Sequence, residues 1–236
     1  MLWEMLSGLF ASFRQTARAD PLAAYFHHNP GRLIDKWHHY FEVYHRHFAR
    51  FRNQSPVVIE IGVFHGGSLQ MWRSYFGPGA RIVGIDVDPR CRQFEDDATT
   101  ILIGDQADRA FLAEVRARFP LVDIVIDDGG HTMVQQVTTF EELYPHLQPH
   151  GVYLCEDLHT SYFSDYGGGL RREGSFIEFS KTLIDRLHAW STTRPGQELD
   201  PIAYTTYALH FYESMMVAEK RPIDPPQRST TGRPSF

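Results

Sequence analysis

Residues Val57 to Gly67 read VVIEIGVFHGG, and this stretch decides the fold class. A short run rich in β-branched residues ends at Gly62, and the sequence from Gly66 to Tyr75 has a helical pattern. This predicts a buried strand, a glycine loop and a helix. The loop glycines would let a ligand approach the backbone closely, and the helix start would offer amide donors, which suits a mononucleotide-like ligand. A tight turn without a ligand is the alternative.

The strand pattern recurs downstream, and each later copy ends in acidic residues. The copies span Arg81–Asp86, Thr100–Asp105, Val122–Asp128 and Gly151–Asp157. Helical patterns lie between several of them, and alternating strands and helices indicate an α/β fold with a parallel sheet. Because ligands in such sheets bind beyond the carboxyl ends of the strands, the acids are expected along the binding edge.

The remaining segments complete a three-part organisation. Aromatic residues at helical spacing predict an amphipathic helix over 34–51, so residues 1–51 form an N-terminal helical arm or cap. Residues 52–221 are predicted to form the main α/β domain, with a helix over 176–190 and a terminal β-hairpin within 201–220. Residues 222–236, rich in proline, serine, threonine and arginine, form a disordered tail.

Composition narrows the class of partner. The chain has 236 residues, 42% of them hydrophobic and 22% charged, which fits one globular α/β domain. A net charge of -6 argues against a nucleic-acid partner and makes a small molecule the expected ligand. The two cysteines, Cys91 and Cys155, show no disulfide or metal-binding spacing. The apolar N-terminal stretch is too short to span a membrane, so a cytoplasmic protein is expected.

Three acidic positions have distinct expected roles. Asp86, at the end of the second strand, is placed to accept both ribose hydroxyls of a nucleoside. Asp105, with Gln106, is placed near an adenine edge, although capping of the next helix is the alternative. Asp88 is expected as a cap or turn residue. The dinucleotide signature is missing because Phe64 stands where its second glycine belongs.

The densest chemistry follows the last two parallel strands, in Asp127-Asp128-Gly129-Gly130-His131 and Glu156-Asp157-Leu158-His159. Carboxylates this close repel one another, and a divalent cation is the simplest compensation. Oxygen ligands favour Mg²⁺ or Mn²⁺ over zinc. A cation lowers the pKa of a substrate hydroxyl, and a neutral histidine can then remove the proton. The alternative is that Asp127 caps a loop and His131 merely starts a helix.

Taken together, these motifs resemble the metal-dependent sugar O-methyltransferases of macrolide and related antibiotic pathways, the mycinamicin and macrocin group. The resemblance extends from about Lys36 to Arg221. The linked motifs that carry it are Asp35-Lys36-Trp37-His38-His39-Tyr40, Glu60-Ile61-Gly62-Val63, Gly66-Gly67-Ser68-Leu69, Gly84-Ile85-Asp86, Gly104-Asp105-Gln106, Asp127-Asp128-Gly129-Gly130-His131 and Glu156-Asp157.

The resemblance implies a Rossmann-like class I methyltransferase fold: a mostly parallel seven-stranded sheet with an antiparallel C-terminal hairpin and helices on both faces. It also implies S-adenosylmethionine as cofactor, with Mg²⁺ (or Mn²⁺) on Asp128, Glu156 and Asp157, and His131 as general base. The residues it implies for cofactor binding are Glu60, Gly62, Ser68, Asp86, Asp105, Gln106, Asp127, Lys36 and Tyr40.

The implied reaction is methylation of a deoxysugar hydroxyl on a glycosylated natural product in antibiotic biosynthesis, by a homo-oligomer. A polyketide or phenolic acceptor is the alternative, and a metal-dependent hydroxylase or hydrolase, or a descendant that binds the cofactor without transferring methyl, are the competing classes. The chain lacks a long N-terminal extension found in some relatives, so its acceptor-binding region is expected to differ. Residues 160–174 are expected to form a mobile lid.

Overall fold

The computed structural model describes residues 20–236. Residues 1–19 of the predicted arm lie outside the described residues. Within 20–236, no helix is both long enough and apolar enough to span a bilayer.

The centre of the fold is a seven-stranded sheet in the order β3-β2-β1-β4-β5-β7-β6. Strands β1 to β5 run parallel, and β7 pairs antiparallel with both β5 and β6. The strands are β1 Val57–Ile61, β2 Arg81–Asp86, β3 Thr99–Ile103, β4 Ile124–Asp127, β5 Val152–Cys155, β6 Thr206–Tyr212 and β7 Met215–Lys220. The predicted fold class is confirmed, including the C-terminal hairpin.

Helices cover both faces of the sheet. They are α1 Pro21–His27, α2 Tyr40–Phe48, α3 Gly67–Phe76, α4 Arg109–Arg118, α5 Met133–Leu143, α6 Phe176–Leu187, α7 Ala189–Thr192 and α8 Pro201–Thr205. Side chains of α1, α2 and α3 pack with one set of strand residues in one core cluster. Those of α4, α5 and α6 pack with the alternate strand residues in a second cluster. Alternation along each strand therefore divides the core between the two faces.

The helix predicted over 34–51 is shorter than expected. It begins at Tyr40, and a 3-10 turn over Ala49–Phe51 follows it. Upstream, Ile34 and Lys36 are buried while their neighbours are exposed, which is the two-residue alternation of an extended segment. The aromatic spacing placed the start of the helix too early because it included Trp37. This residue lies before the helix and is 57% exposed.

Strand register places the acidic residues side by side. In the parallel pair of β4 and β5, Asp127 lies opposite Cys155. The next residues, Asp128 and Glu156, therefore leave the sheet together at its carboxyl edge. Helix α8 occupies the start of the predicted hairpin segment, and residues 221–236 form neither helix nor strand.

Candidate active site

A cleft of about 1250 Å³ opens at the carboxyl edge of the parallel strands. Its walls come from the extended segment 35–40, the loop after β1, and the residues that follow β2, β4 and β5. One half holds glycines and amide groups, and the other holds carboxylates and a histidine. The strand ends thus meet the arm at a single concave site, as expected for an α/β sheet.

In the first half, Asp86 organises the loop after β1. Its Oδ2 accepts hydrogen bonds from the amides of Val63 (2.9 Å) and Phe64 (3.1 Å), and its Oδ1 accepts from Asp88 N (2.9 Å). Gly62 has φ of +90°, and a Cβ there would overlap the carbonyl oxygen of Asp128. Only glycine therefore fits between the two halves of the cleft. Asp88 also caps the 3-10 helix Pro89–Phe94, as predicted.

Glu60 and Ser68, both predicted to bind the cofactor, lie behind the cleft surface. Glu60 is fully buried and accepts hydrogen bonds from Ser68 Oγ (2.9 Å) and Trp72 Nε1 (2.8 Å). Burial raises the pKa of Glu60 to about 7, against the opposing effect of the Lys36 charge. Neither residue lines the cleft. Their contacts fix helix α3 against strand β1, directly beneath the glycine loop.

Asp127 and Gln106 form a second buried support. Asp127 accepts hydrogen bonds from Gln106 Nε2 (2.8 Å) and Tyr153 OH (2.8 Å), and burial raises its pKa to about 7. Gln106 reaches the cleft and accepts from Gly130 N (2.9 Å) at its Oε1. Asp105 is exposed, accepts from Ala107 N (2.8 Å) and does not line the cleft.

In the second half of the cleft, Lys36 bridges two of the predicted metal ligands. Its Nζ donates to Asp128 Oδ2 and, at 2.9 Å, to Glu156 Oε2. Helix α2 supplies two further donors: Tyr44 OH donates to Glu156 Oε1 (2.7 Å) and Tyr40 OH to Asp157 Oδ1 (2.7 Å). Lys36 and Tyr40, predicted as cofactor ligands, therefore contact the carboxylates.

The electrostatics of these carboxylates fit a divalent cation. Burial raises the pKa of Asp128, and burial followed by the Asp128 charge raises that of Glu156 well above its usual value. Burial alone would lower the pKa of Lys36, but the charges of Asp128 and Glu156 raise it. Asp128 and Glu156 thus share the buried ammonium of Lys36, and a cluster of carboxylate oxygens of this kind suits Mg²⁺ or Mn²⁺.

His131 lies beside the same carboxylates. Its Nε2 is 3.4 Å from Asp157 Oδ2 and 3.9 Å from Asp128 Oδ1, while its buried Nδ1 has no hydrogen-bond partner among residues 20–236. Donor atoms of Asp128, His131 and Asp157 lie within 4.8 Å of one another, whereas Glu156 is held by Lys36 and Tyr44. Both His131 (φ 56°) and Asp157 (φ 55°) adopt left-handed backbone conformations, which cost free energy in residues with a Cβ.

An aromatic rim lies next to the carboxylates. Trp37 is in edge contact with His159 at 6.1 Å between ring centroids, and His159 contacts Phe163 at 5.6 Å. His159 is held by a 2.6 Å contact between its Nδ1 and Ser214 Oγ. Trp37 and Phe163 remain 57% and 51% exposed. The rim therefore offers apolar surface beside a strongly polar site.

Comparison with known proteins shows which proteins the chain resembles. Residues 59–158 match the family model described as "Methyltransferase domain". The chain is 38% identical over 198 residues to the 8-demethyl-8-alpha-L-rhamnosyl tetracenomycin-C 2'-O-methyltransferase of Streptomyces olivaceus, covering 79% of this chain and 52% of that protein. This chain is a homologue of the antibiotic sugar O-methyltransferases. It is also 35% identical over 202 residues to the demethylmacrocin O-methyltransferase of Streptomyces fradiae, covering 80% and 51% of the two chains.

Solved structures show the same similarity. The MycE methyltransferase of the mycinamycin pathway, in complex with Mg, SAH and mycinamycin VI, matches with a TM-score of 0.75 and 32% identity over 88% of this chain and 55% of MycE. This sugar O-methyltransferase homologue spans about half the length of the curated relatives it matches. The predicted resemblance to antibiotic sugar O-methyltransferases is confirmed over the part of those relatives that the chain covers.

In this homologue, sequence reasoning missed the support that helix α2 gives to the carboxylates. Tyr44 belongs to the aromatic face of the helix predicted over 34–51 and was given no role at the site, yet its hydroxyl contacts Glu156. Its spacing of four residues from Tyr40 puts both hydroxyls on one helix face, which is the signal that could have found it. Tyr153, read only as a strand residue, likewise holds Asp127.

Proposed function

We propose that the protein is an S-adenosylmethionine-dependent O-methyltransferase that methylates a deoxysugar hydroxyl of a glycosylated natural product in antibiotic biosynthesis. The observation that carries this proposal is the division of one cleft into a glycine-and-amide half and a carboxylate-histidine half. A cofactor bound in the first half would face a hydroxyl bound in the second, which provides the alignment that an in-line transfer needs.

In the cofactor half, Asp86 is proposed to accept the ribose hydroxyls, while Gly62 permits close approach and Gln106 contacts the adenine. Glu60, Ser68 and Asp127 act from beneath by fixing the loop and strand ends. Asp105 lies away from the cleft lining, so a direct adenine contact would have to come from its exposed rim position.

In the acceptor half, Asp128, Glu156 and Asp157 are proposed to hold Mg²⁺ or Mn²⁺. When bound, the cation supplies charge that lowers the pKa of the acceptor hydroxyl and orients a neighbouring oxygen. Lys36, Tyr40 and Tyr44 position these carboxylates. Lys36 Nζ bridges Asp128 and Glu156 and so holds their carboxylates near one another.

His131 is proposed to take the acceptor proton at Nε2 as the acceptor oxygen forms its bond to the methyl carbon and the carbon–sulfur bond breaks. The adjacent carboxylates of Asp157 and Asp128 stabilise the resulting imidazolium. No covalent intermediate with the protein is needed. The aromatic rim of Trp37 and Phe163 would pack against the apolar aglycone while the sugar lies over the carboxylates.

The domain organisation and assembly of the chain are part of the same proposal. Segment 20–51 acts as a cap, because Lys36 and Tyr40 reach from it into the cleft and Tyr44 supports Glu156 from behind. Residues 52–221 carry the remaining site residues. A homo-oligomer, a small-molecule acceptor without nucleic acid, a cytoplasmic location and a disordered tail over 222–236 are parts of the same proposal. The exposed segment 160–174 is proposed as the lid.

Calorimetric titration of EDTA-treated protein with S-adenosylhomocysteine, repeated after Mg²⁺ is added, tests the proposal first. One-site micromolar binding is expected. Absence of binding in both conditions would favour the metal-dependent hydrolase alternative.

The acceptor is tested by incubating the protein with S-adenosylmethionine, Mg²⁺ and matched pairs of rhamnosylated or macrolide glycosides and their aglycones. Methyl transfer to the glycosides alone is expected. Transfer to the aglycones instead would move the acceptor to a polyketide or phenolic hydroxyl.

A further inference from the structure

A second cluster of metal-binding side chains lies between helix α2 and the β6–β7 hairpin. It consists of His47 on α2, His210 on β6 and Glu219 on β7. None of the three lines the active-site cleft. His47 is only 2% exposed, while His210 and Glu219 are partly buried. The cluster therefore joins three separate elements at a protected position.

The donor atoms of the three residues all lie within 4.8 Å of one another. His47 Nδ1 lies 2.7 Å from Glu219 Oε1, and His210 Nε2 lies 3.7 Å from the same oxygen. With metal–nitrogen distances near 2 Å, two ligands of a tetrahedral zinc ion lie roughly 3.3 Å apart. The 3.7 Å separation is close to that value, and the 2.7 Å separation is a hydrogen bond that a bound ion would replace.

The outer contacts of the cluster also fit a metal site. The other ring nitrogen of His47, Nε2, lies 2.9 Å from Tyr212 OH, so a neutral imidazole could donate there and leave Nδ1 free as a ligand. His210 Nε2 is buried and has no hydrogen-bond partner among residues 20–236. A buried nitrogen without a partner costs free energy, which a bound cation would remove.

One neighbouring charge opposes a cation. Arg50 Nη1 lies 3.8 Å from Glu219 Oε1, but its side chain is 45% exposed and can turn toward solvent. Without a metal, the arginine and the two imidazoles share the single carboxylate of Glu219. Two imidazoles and one carboxylate form a donor set that zinc accepts, with a fourth position left for water.

We propose that His47, His210 and Glu219 bind a Zn²⁺ ion that ties helix α2 to the C-terminal hairpin. The proposal is independent of the proposed methyl transfer. Its structural role follows from α2 itself, because this helix carries the two tyrosines whose hydroxyls contact Asp157 and Glu156. The ion would therefore fix the helix at the end opposite its active-site contacts.

The experiment measures Zn²⁺ binding to the full chain by calorimetry in excess Mg²⁺, with bound zinc quantified after gel filtration. The test variant is His210→Gln, on an edge strand. His188→Gln, an exposed histidine at the end of α6, is the matched control. The Asp128→Asn variant removes a carboxylate of the cleft, so any zinc that binds in the cleft would be weakened in this variant.

The expected result is one zinc ion per chain in the wild type, His188→Gln and Asp128→Asn, with affinity in His210→Gln weaker by about tenfold or more. Zinc should also raise the melting temperature of the wild type but not of His210→Gln. Equal affinity in His210→Gln and the wild type would overturn the proposal, as would zinc binding lost in Asp128→Asn alone. Should His210→Gln fail to fold by circular dichroism, Glu219→Gln takes its place under the same criteria.

Discussion

Lys36 joins the arm to the active site through a single ammonium group. Its side chain is 2% exposed, and it contacts Glu156, whose side chain is 1% exposed, together with Asp128. A buried charge is tolerated only when it is paired, so Lys36 and the two carboxylates depend on one another. A divalent cation would compete with this ammonium for the same oxygens.

Lys36→Met should therefore lower the free energy of unfolding in EDTA by about 3 kcal/mol, because two buried carboxylates lose their partner. Mg²⁺ should restore much of this loss. Urea denaturation with and without Mg²⁺ measures both effects. Lys181→Met, which removes a half-exposed partner of Glu178, is the control and should change stability by less than about 0.5 kcal/mol. Unchanged stability of Lys36→Met in EDTA would contradict this account.

His131→Ala should reduce kcat by about 100-fold or more, as expected for loss of a general base. Affinity for S-adenosylhomocysteine should stay the same, because His131 lies in the carboxylate half of the cleft. His159→Ala, on the aromatic rim, is the matched control and should retain proton transfer. The comparison uses single-turnover rates and calorimetry. Normal turnover in His131→Ala would remove it as the base.

Glu60 predicts a pH dependence of stability. Burial raises the pKa of Glu60 from its ordinary value of 4.5 to about 7 in the folded protein. As the pH rises, the unfolded chain therefore loses this proton before the folded protein does. The contribution of Glu60 to the free energy of unfolding is complete below pH 4.5. It falls as the pH rises toward 7, by about 1.4 kcal/mol per pH unit in the steepest part.

Glu60→Gln should flatten that slope between pH 5 and 7, leaving the similar contribution of Asp127 in place. Denaturant titrations of cofactor-free protein at several pH values measure the slope. Glu114→Gln, on the exposed face of α4, should leave the slope unchanged. The same slope in Glu60→Gln and the wild type would show that Glu60 is ionised at pH 5.

At the scale of elements, helix α2 shows where sequence patterns succeed and fail. The three-to-four-residue spacing of aromatic side chains correctly predicted an amphipathic helix. It extended the start too far because periodicity does not register a long-range ion pair, and Lys36 needs an extended backbone to reach Asp128. For the same reason the residues beneath the cleft, such as Tyr153, were not distinguished from ordinary core.

Tyr44→Phe tests whether α2 positions the carboxylates. Loss of a hydrogen bond to a buried charged group should cost about 2 kcal/mol of stability, and Mg²⁺ affinity should fall about tenfold as Glu156 loses its orientation. Tyr144→Phe is the matched control, since Tyr144 OH donates to the neutral Thr206 Oγ1 at 2.7 Å. It should cost about 1 kcal/mol and leave Mg²⁺ affinity unchanged. Equal Mg²⁺ affinity in both variants would assign Tyr44 to packing alone.

At the scale of the whole molecule, the alternation of strands and helices and the edge that carries the acids followed from the sequence, because both depend on local pattern and chain direction. The sequence did not show that the sheet shares its core with the arm. The arm buries Leu22, Tyr40, Phe41, Tyr44 and Phe48 in the same core cluster as the sheet. Which face an amphipathic helix covers is a long-range property that its own residues do not specify.

A fragment of residues 52–221 should therefore fail to fold. Losing five buried side chains at roughly 2 kcal/mol each removes about 10 kcal/mol, which is as large as the stability of a typical domain. Removal of 222–236 alone, a segment with almost no buried side chains, should leave the melting temperature unchanged. Circular dichroism and thermal melts of both truncations give the test. A cooperative melt of the 52–221 fragment would contradict the shared core.

The left-handed backbone at His131 and Asp157 has a consequence for how the sequence evolves. Glycine or asparagine at either position would relieve roughly 1 kcal/mol of strain, so selection for stability alone drives both sites away from their present identities. Only continued use of the imidazole and the carboxylate opposes that drift. Among relatives of this protein, lineages that have abandoned catalysis should lose these two side chains before they lose any residue of the sheet, and the pair serves as a record of whether a lineage is still under selection for its chemistry.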